Sequence, residues 1–320
     1  MNRRDTFLAL AALGVVPPAL WAQQASSVPR IGYLTVDNPE PNFGYFKEGL
    51  QKLGYQDGRN IRIEFRNAEG KEERLAEYVA ELVRLKVDVL VVRLTQAIHA
   101  AKQATTEIPI VMVSAADPVG TGLVASLARP GGNITGTSST TRETSSKILE
   151  FVREVLPRAK RVAVLVNAND PFSKLFLAQI QAAGQKAGVE ILPAMIRATG
   201  DMDKAFPDFV KRRAEFIIVQ PSLPLKRAAE LALKHRLPAI SPNANFPTED
   251  GGLMAYSSMA GESQRDAAGY VDKILKGAKP GELPVQQPTR FELVLNTKTA
   301  KALGIKFPQS LLLRADRGIE

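Results

Sequence analysis

The sequence predicts an α/β protein built as two doubly wound lobes, each a parallel sheet covered by helices on both faces. Short, continuously apolar segments of strand length alternate with helical stripes from Val28 onward, and strands buried from both sides read as such unbroken runs. The alternation pauses at "SLARPGGNITG" (Ser126–Gly136) and then restarts, so two βα runs of similar size lie end to end. Strands beginning near Asn133, Leu253 and Thr289 belong to neither run. A chain that passes between two lobes more than once needs such extra strands.

In chain order, "RIGYLTV" (Arg30–Val36) reads as a buried strand, and Phe43, Phe46, Leu50 and Leu53 follow helical spacing up to Gly54, a C-cap. "NIRIEF" alternates with period two, as a half-buried strand does. Leu75, Tyr78, Val79, Leu82 and Val83 form the stripe of an amphipathic helix. "VDVLVV" (Val87–Val92), a helix near Gln96–Thr106 and "IPIVMVS" (Ile108–Ser114) complete the first run. In the second run, Ile148, Leu149, Val152, Val155 and Leu156 mark a helix. "RVAVLVN" (Arg161–Asn167), "VEILPAMI", "FIIVQ" (Phe216–Gln220) and "LPAISP" are its strands. The chain closes with a strand at "GGLMAYS" (Gly251–Ser257), a helix over Gly261–Gly277, a Pro-rich connection and "TRFELVLN" (Thr289–Asn296).

Composition narrows the function. The 320 residues are 45% hydrophobic and 23% charged, the balance of a globular chain. Arg3 and Arg4, the apolar "FLALAALGVV" and the small residue Ala22 have the layout of an export signal. The expectation is therefore a signal peptide at residues 1–22, a linker at 23–28 and a soluble periplasmic protein after cleavage near Ala22. There is no cysteine, so disulfides do not stabilise the fold. The net charge of +9 is spread over many helices without a basic block, which speaks against nucleic-acid binding. Nucleophile-elbow and metal-ligand patterns are missing from the sequence, and its two histidines, His99 and His235, stand far apart in separate helices. Neither an enzyme nor a cofactor is expected.

The turn "PGGN" precedes strand-type residues, not a helix, and no Gly-Lys-Ser/Thr follows, so it is not a phosphate loop. Gly131 and Gly132 supply a turn. Gly132, Asn133, Thr135 and Gly136 are then candidates for a hinge, which needs positions that tolerate backbone change; an ordinary helix-to-strand turn is the alternative.

"DPVGTGLVASLARPGGNITG" (Asp117–Gly136), "GGLMAYS", "AAGYVDKILKGAKPGELPVQQPTRFELVLNTKTAKALG" (Ala267–Gly304) and "LLLRADRGIE" together resemble the substrate-binding proteins of ABC transporters. The resemblance spans nearly the whole chain after the signal. It implies the type I periplasmic-binding-protein fold: two lobes joined by three crossover segments, with a ligand in the cleft between them. It places residues 29–136 and 258–286 in one lobe and 137–257 and 287–320 in the other. The implied role is a monomer that delivers a small polar solute, such as an amino acid or another carboxylate-bearing compound, to an importer's membrane subunits and their ATPase. A ligand-sensing receptor of the same fold is the alternative.

Ligands of open parallel sheets sit beyond the carboxyl ends of the strands, where helix N-termini present free N–H groups. That rule selects six loops and these candidates: Asp37 and Asn38; Arg93, Thr95 and Gln96; Ser114 and Asp117; Asn169, Asp170 and Phe172; Ser222; Asn243 and Asn245. Tyr256 is added as an aromatic candidate. Thr95 and Gln96 open a helix that suits a carboxylate, and Arg93 either pairs with the same group or covers the sheet edge. Asp117 either meets the ligand or caps the helix after it. Asp170 suits an ammonium, and Phe172 an apolar body. Amino-acid-binding members of the fold commonly place an acid in a second-lobe loop. "QPSLP" and "SPNANFP" hold none, which leaves Asp170 or a first-lobe aspartate for that task.

Overall fold

The structure, a computed structural model, describes residues 28–36, 39–139 and 142–320. The export signal, most of the linker, Asp37 and Asn38 lie outside the described residues. Among the described residues no helix is long and apolar enough to cross a membrane.

The first run folds as β1 (Arg30–Thr35), α1 (Asn42–Lys52), β2 (Arg62–Asn67), α2 (Leu75–Arg84), β3 (Val89–Arg93), α3 (Thr95–Ala104), β4 (Ile110–Ala116) and β5 (Ile134–Ser139). Its five strands are all parallel, in the order β2-β1-β3-β4-β5. Alternate residues of the central strands feed opposite faces. Leu90 and Val92 pack with the stripe of α2, whereas Val89 and Val91 pack with Phe46 and Leu50 of α1.

The second run comprises α4 (Arg142–Val155), β6 (Arg161–Asn167), α5 (Ser173–Ala187), β7 (Glu190–Ile196), α6 (Thr199–Lys211), β8 (Phe216–Val219), α7 (Leu225–Lys234), β9 (Ala239–Ser241), α8 (Asn245–Thr248) and β10 (Met254–Ser258). The chain then forms α9 (Glu262–Leu275), β11 (Phe291–Asn296), α10 (Thr297–Leu303), α11 (Gln309–Leu312) and β12 (Arg317–Ile319). The second sheet has the order β12-β11-β10-β9-β8-β6-β7. Setting β11 and β12 aside, it repeats the first: second strand at one edge, first beside it, then third, fourth and fifth.

Helix α9 returns to the first lobe, where Ala267, Ala268 and Val271 join the core of Ile31, Tyr33 and Phe46. It lies very close to α1, since a Cβ on Gly49 would stand 2.8 Å from the Ala268 Cβ. The chain then re-enters the second lobe as β11. This explains one departure from an all-parallel expectation. Strand β10 runs toward the interlobe connection and β11 runs away from it, so the two pair antiparallel. The closing segment also supplies a strand unseen in the sequence, β12, beside β11.

The connecting segments are bonded to one another. Gln286 N–H donates to the Gly136 carbonyl at 3.0 Å and Ser138 N–H to the Gln286 carbonyl at 2.9 Å, while Met259 N–H donates to the Arg290 carbonyl at 3.0 Å. Of the proposed hinge residues, Gly136 takes part in this pairing through its carbonyl, and the others lie just before it in the chain. Asn133 precedes β5 and donates to the Thr105 and Ile108 carbonyls, and Thr135 Oγ1 donates to the Leu283 carbonyl at 2.7 Å. Gly136 has φ +130, and a Cβ there would sit 2.2 Å from the Met112 carbonyl oxygen. Glycine is needed at 136 for close approach, whereas Gly132 (φ +80) forms an open turn with nothing near its Cβ position. All four residues are built into the first lobe, and its sheet continues to Ser139 before the chain leaves.

Candidate functional site

Both sheets have their topological switch point between the first and third strands of the run, β1/β3 and β6/β8. A crevice outside the carboxyl ends of the strands at such a point is the expected ligand position. A cavity of about 140 Å³ lies there, lined by residues of both lobes. Its volume is close to that of an engineered cavity of ~150 Å³ that admits benzene.

The first-lobe wall starts where β3 ends. Arg93 is buried, and Leu94 takes φ +74, ψ +145 before α3. A leucine holds that conformation only when its surroundings impose it, and such strain gathers at functional positions. The first turn of α3 thereby faces the cavity with Thr95 and Gln96. Thr95 Oγ1 accepts the Ala116 N–H at 3.1 Å. Gln96 is only 6% exposed, yet neither its Oε1 nor its Nε2 has a hydrogen-bond partner. Ser114 occupies a bulge in β4 with φ +55. Asn42 of α1 and Gln264 of α9, joined at 2.8 Å, complete this side.

The second-lobe wall is organised around Asp170, just past β6. The residue is 5% exposed. Its Oδ1 accepts the Phe172 N–H at 2.9 Å, and its Oδ2 accepts Gln220 Nε2 at 2.8 Å and Ser222 Oγ at 2.6 Å. Burial pushes the Asp170 carboxyl above the ordinary carboxylate range, and these hydrogen bonds oppose the shift. The loop "QPSLP" lacks an acid of its own but presents one by gripping Asp170 with Gln220 and Ser222. Gln220 also ties Asp170 to the lobe boundary, because its Oε1 accepts the Asn167 N–H at 2.8 Å. Asn167 Nδ2 in turn reaches across to Glu72 Oε1 of the first lobe, also at 2.8 Å. Burial raises the Glu72 carboxyl as well, with the charge of Asp170 contributing and the bond from Asn167 opposing.

Ile148, Phe172, Phe176 and Phe291 make the apolar part of the lining. Thr144 and Ser145 add hydroxyls from the first turns of α4. A buried carboxylate, a helix N-terminus on the opposite lobe and an apolar wall between them suit a small molecule with a cationic group, an anionic group and a hydrophobic body.

Among the sequence candidates, Arg93, Thr95, Gln96, Ser114, Asp170, Phe172, Ser222, Asn243 and Asn245 all line this cavity. Three others do not. Asp117 is turned into its own loop, where Oδ1 accepts the Gly120 N–H at 2.9 Å. Asn169 points to a separate, wider cavity at the outer edge of the cleft and donates to the Arg197 carbonyl. Tyr256 stands behind the site, packed between Phe151 and Phe291 with ring centroids 5.1 and 5.6 Å away. Asn42, Gln264, Thr144, Ser145, Gln220, Ile148, Phe176 and Phe291 are additions from the structure. Gln220 was visible as the last residue of "FIIVQ", at a strand's carboxyl end. Of the histidines, His235 stacks on Phe206 and His99 is half-buried in α3 outside the cavity lining.

Fold and site together define a two-lobed small-molecule binding protein. The family model for ABC transporter substrate binding proteins matches residues 40–319, and the chain belongs to that family. It is 28% identical over 267 residues to the tyrosine-binding protein of Clostridioides difficile (strain R20291), an alignment covering 82% of this chain and 76% of that protein. It is similar in structure to the ABC domain from Streptococcus pneumonia in complex with L-Trp, with a TM-score of 0.84 and 26% identity over 92% of this chain and 100% of the other. A conserved domain protein from Vibrio cholerae matches with a TM-score of 0.84 and 25% identity, covering 91% of this chain and 99% of its own. The fold is that of the type I periplasmic binding proteins.

Proposed function

We propose that this protein captures an α-amino acid with an aromatic or large apolar side chain in the interlobe cavity and delivers it to an ABC importer from the periplasm. The observation that carries this reading is the buried Asp170 carboxylate, already held by three donors of its own lobe, facing a cavity with an apolar wall. A carboxylate without a countercharge is expensive to bury, and a ligand ammonium supplies the countercharge. The first turn of α3 takes the ligand carboxylate, and Phe172, Phe176 and Phe291 enclose the side chain. The names of two relatives, one tyrosine-binding and one complexed with L-Trp, support the same class.

Residues 29–136 with 258–286 form one lobe in this reading, and 137–257 with 287–320 the other, except that β5 keeps residues 137–139 on the first sheet. Closure is favoured because the ligand touches both lobes only when they meet, and the importer's membrane subunits then recognise the closed surface of a monomer. A thermal-shift screen of the purified chain, unfolded and refolded to strip bound ligand, tests this. The panel holds aromatic and branched amino acids, small carboxylates, purines and sugars. A true ligand at 100-fold over its Kd adds about 2.7 kcal/mol of stability. Shifts confined to amino acids, without turnover, support the reading. Shifts from sugars or purines alone, or turnover of a ligand, overturn it.

A further inference from the structure

We propose that Gln96 is a specificity-determining residue whose single side-chain amide bonds both the ammonium and the carboxylate of the ligand, so that the site selects α-amino acids over molecules carrying either pole alone. This rests on the amino-acid reading above and deepens it.

Gln96 is 6% exposed and lines the cavity, and both of its polar atoms are buried without a partner. Leaving a buried donor or acceptor unmade costs about 1–3 kcal/mol. A polar side chain kept in that state inside a binding cavity is therefore one whose partners arrive with the ligand. The two atoms require opposite things: Oε1 needs a donor and Nε2 an acceptor. They are bonded to the same carbon, so donor and acceptor must come from neighbouring groups. An α-amino acid carries an ammonium and a carboxylate on one carbon and meets that requirement as a zwitterion.

The surroundings of Gln96 divide the two poles. On the carboxylate side lies the N-terminus of α3, a ten-residue helix. The helix ladder begins with the bond from Ile98 N–H to the Leu94 carbonyl, so the earlier N–H groups of the turn are available to an anion. On the ammonium side lies Asp170 of the other lobe. Its oxygens accept three bonds out of about four lone-pair positions, which leaves room for one N–H of an ammonium. Another N–H of that group is then free for Gln96 Oε1. The ammonium is thereby shared between lobes, and Gln96 closes the ring from ammonium to carboxylate.

The test uses calorimetric titration of wild-type protein, Gln96→Leu and Gln96→Glu with matched probes. L-Tyrosine is compared with tyramine, which lacks the carboxylate, and with 3-(4-hydroxyphenyl)propionate, which lacks the ammonium. L-Tryptophan, tryptamine and indole-3-propionate form a second set. Wild-type protein is expected to prefer the amino acid to both analogues by about 100-fold or more. Gln96→Leu loses about 10- to 100-fold in affinity for the amino acid and a smaller factor for each analogue, so the preference collapses. Its ligand-free melting temperature stays the same or rises, since an unsatisfied buried amide is gone. That separates loss of recognition from loss of folding. Gln96→Glu keeps an acceptor and loses the donor, and its preference shifts toward the amine. If wild-type protein binds the amino acids but Gln96→Leu leaves the ratios unchanged, this inference fails and the amino-acid reading survives. If wild-type protein binds none of the six probes, both fail.

Discussion

Replacing Asp170 by Asn separates the role of its charge from the role of its shape. The carboxylate accepts bonds from the Phe172 N–H, Gln220 Nε2 and Ser222 Oγ. Asparagine retains one acceptor oxygen; turned toward Gln220 and Ser222 it keeps both of those bonds and leaves the Phe172 N–H facing its amide NH2, at a cost of about 1–2 kcal/mol. The substitution also relieves the burial of a charge. The two effects oppose each other, and ligand-free stability is expected to stay within about 1–2 kcal/mol of wild type. Binding has no such compensation. Removing one partner of a buried, hydrogen-bonded charge pair costs about 2–4 kcal/mol, roughly 30- to 700-fold in Kd. Calorimetric titration with the amino acid that stabilises wild-type protein most, together with ligand-free melting curves, reads both quantities. A variant that binds as tightly as wild type, or more tightly, would refute the placement of a cation at Asp170. A ligand without positive charge is expected to give that second result, because the substitution removes a repelling carboxylate.

Three further outcomes follow from the same geometry. Burial raises the Asp170 carboxyl in the folded chain, so the folded state holds more protons than the unfolded state between the ordinary value and the raised one. Stability from this group is therefore lost as pH rises through that window, and melting temperatures of wild type minus Asp170→Asn should fall from pH 4 to pH 7; a flat difference would count against it. Glu72→Ala removes the 2.8 Å bond across the lobes, which is half-exposed and worth about 1 kcal/mol; stopped-flow binding should show dissociation about fivefold faster with association unchanged, and an unchanged dissociation rate would remove Glu72 from closure. Gly136→Ala forces a Cβ to within 2.2 Å of the Met112 carbonyl oxygen at φ +130, costing about 2–5 kcal/mol, so the melting temperature should drop by roughly 5–10 °C, and a wild-type melting curve would contradict the close approach.

Much of this was legible in the sequence because buried parallel strands announce themselves. Unbroken runs such as Val162–Val166 and Phe216–Val219 fix strand ends, and strand ends select loops. That rule reached Thr95, Gln96, Asp170, Phe172 and Ser222. It could not reach Asn42 and Gln264, which arrive from helix starts 222 positions apart in the chain. Ile148 was visible only as one member of an apolar helical stripe, and nothing local distinguishes a stripe residue under a cavity from one under a core. Asp117, Asn169 and Tyr256 were misplaced for the opposite reason. Each stands near the cleft in sequence, but loop bonding or ring packing turns its side chain elsewhere. Gly136 shows a use of glycine that the sequence does not distinguish from a hinge. At Gly136 the missing Cβ allows contact with a neighbouring strand, not freedom to swing.

The bonded connections between the lobes restrict how the protein can open. Gln286 is tied to Gly136 and Ser138, and Met259 to Arg290, so neighbouring segments travel side by side as ribbons. A ribbon bends readily across its width but resists being splayed or slid along its length without breaking those bonds. If the lobes open and close as proposed, these bonds favour one path of motion, and each closure would bring Asp170 and Gln96 back to the same cavity. A site divided between two bodies can then be as selective as one carved from a single rigid body.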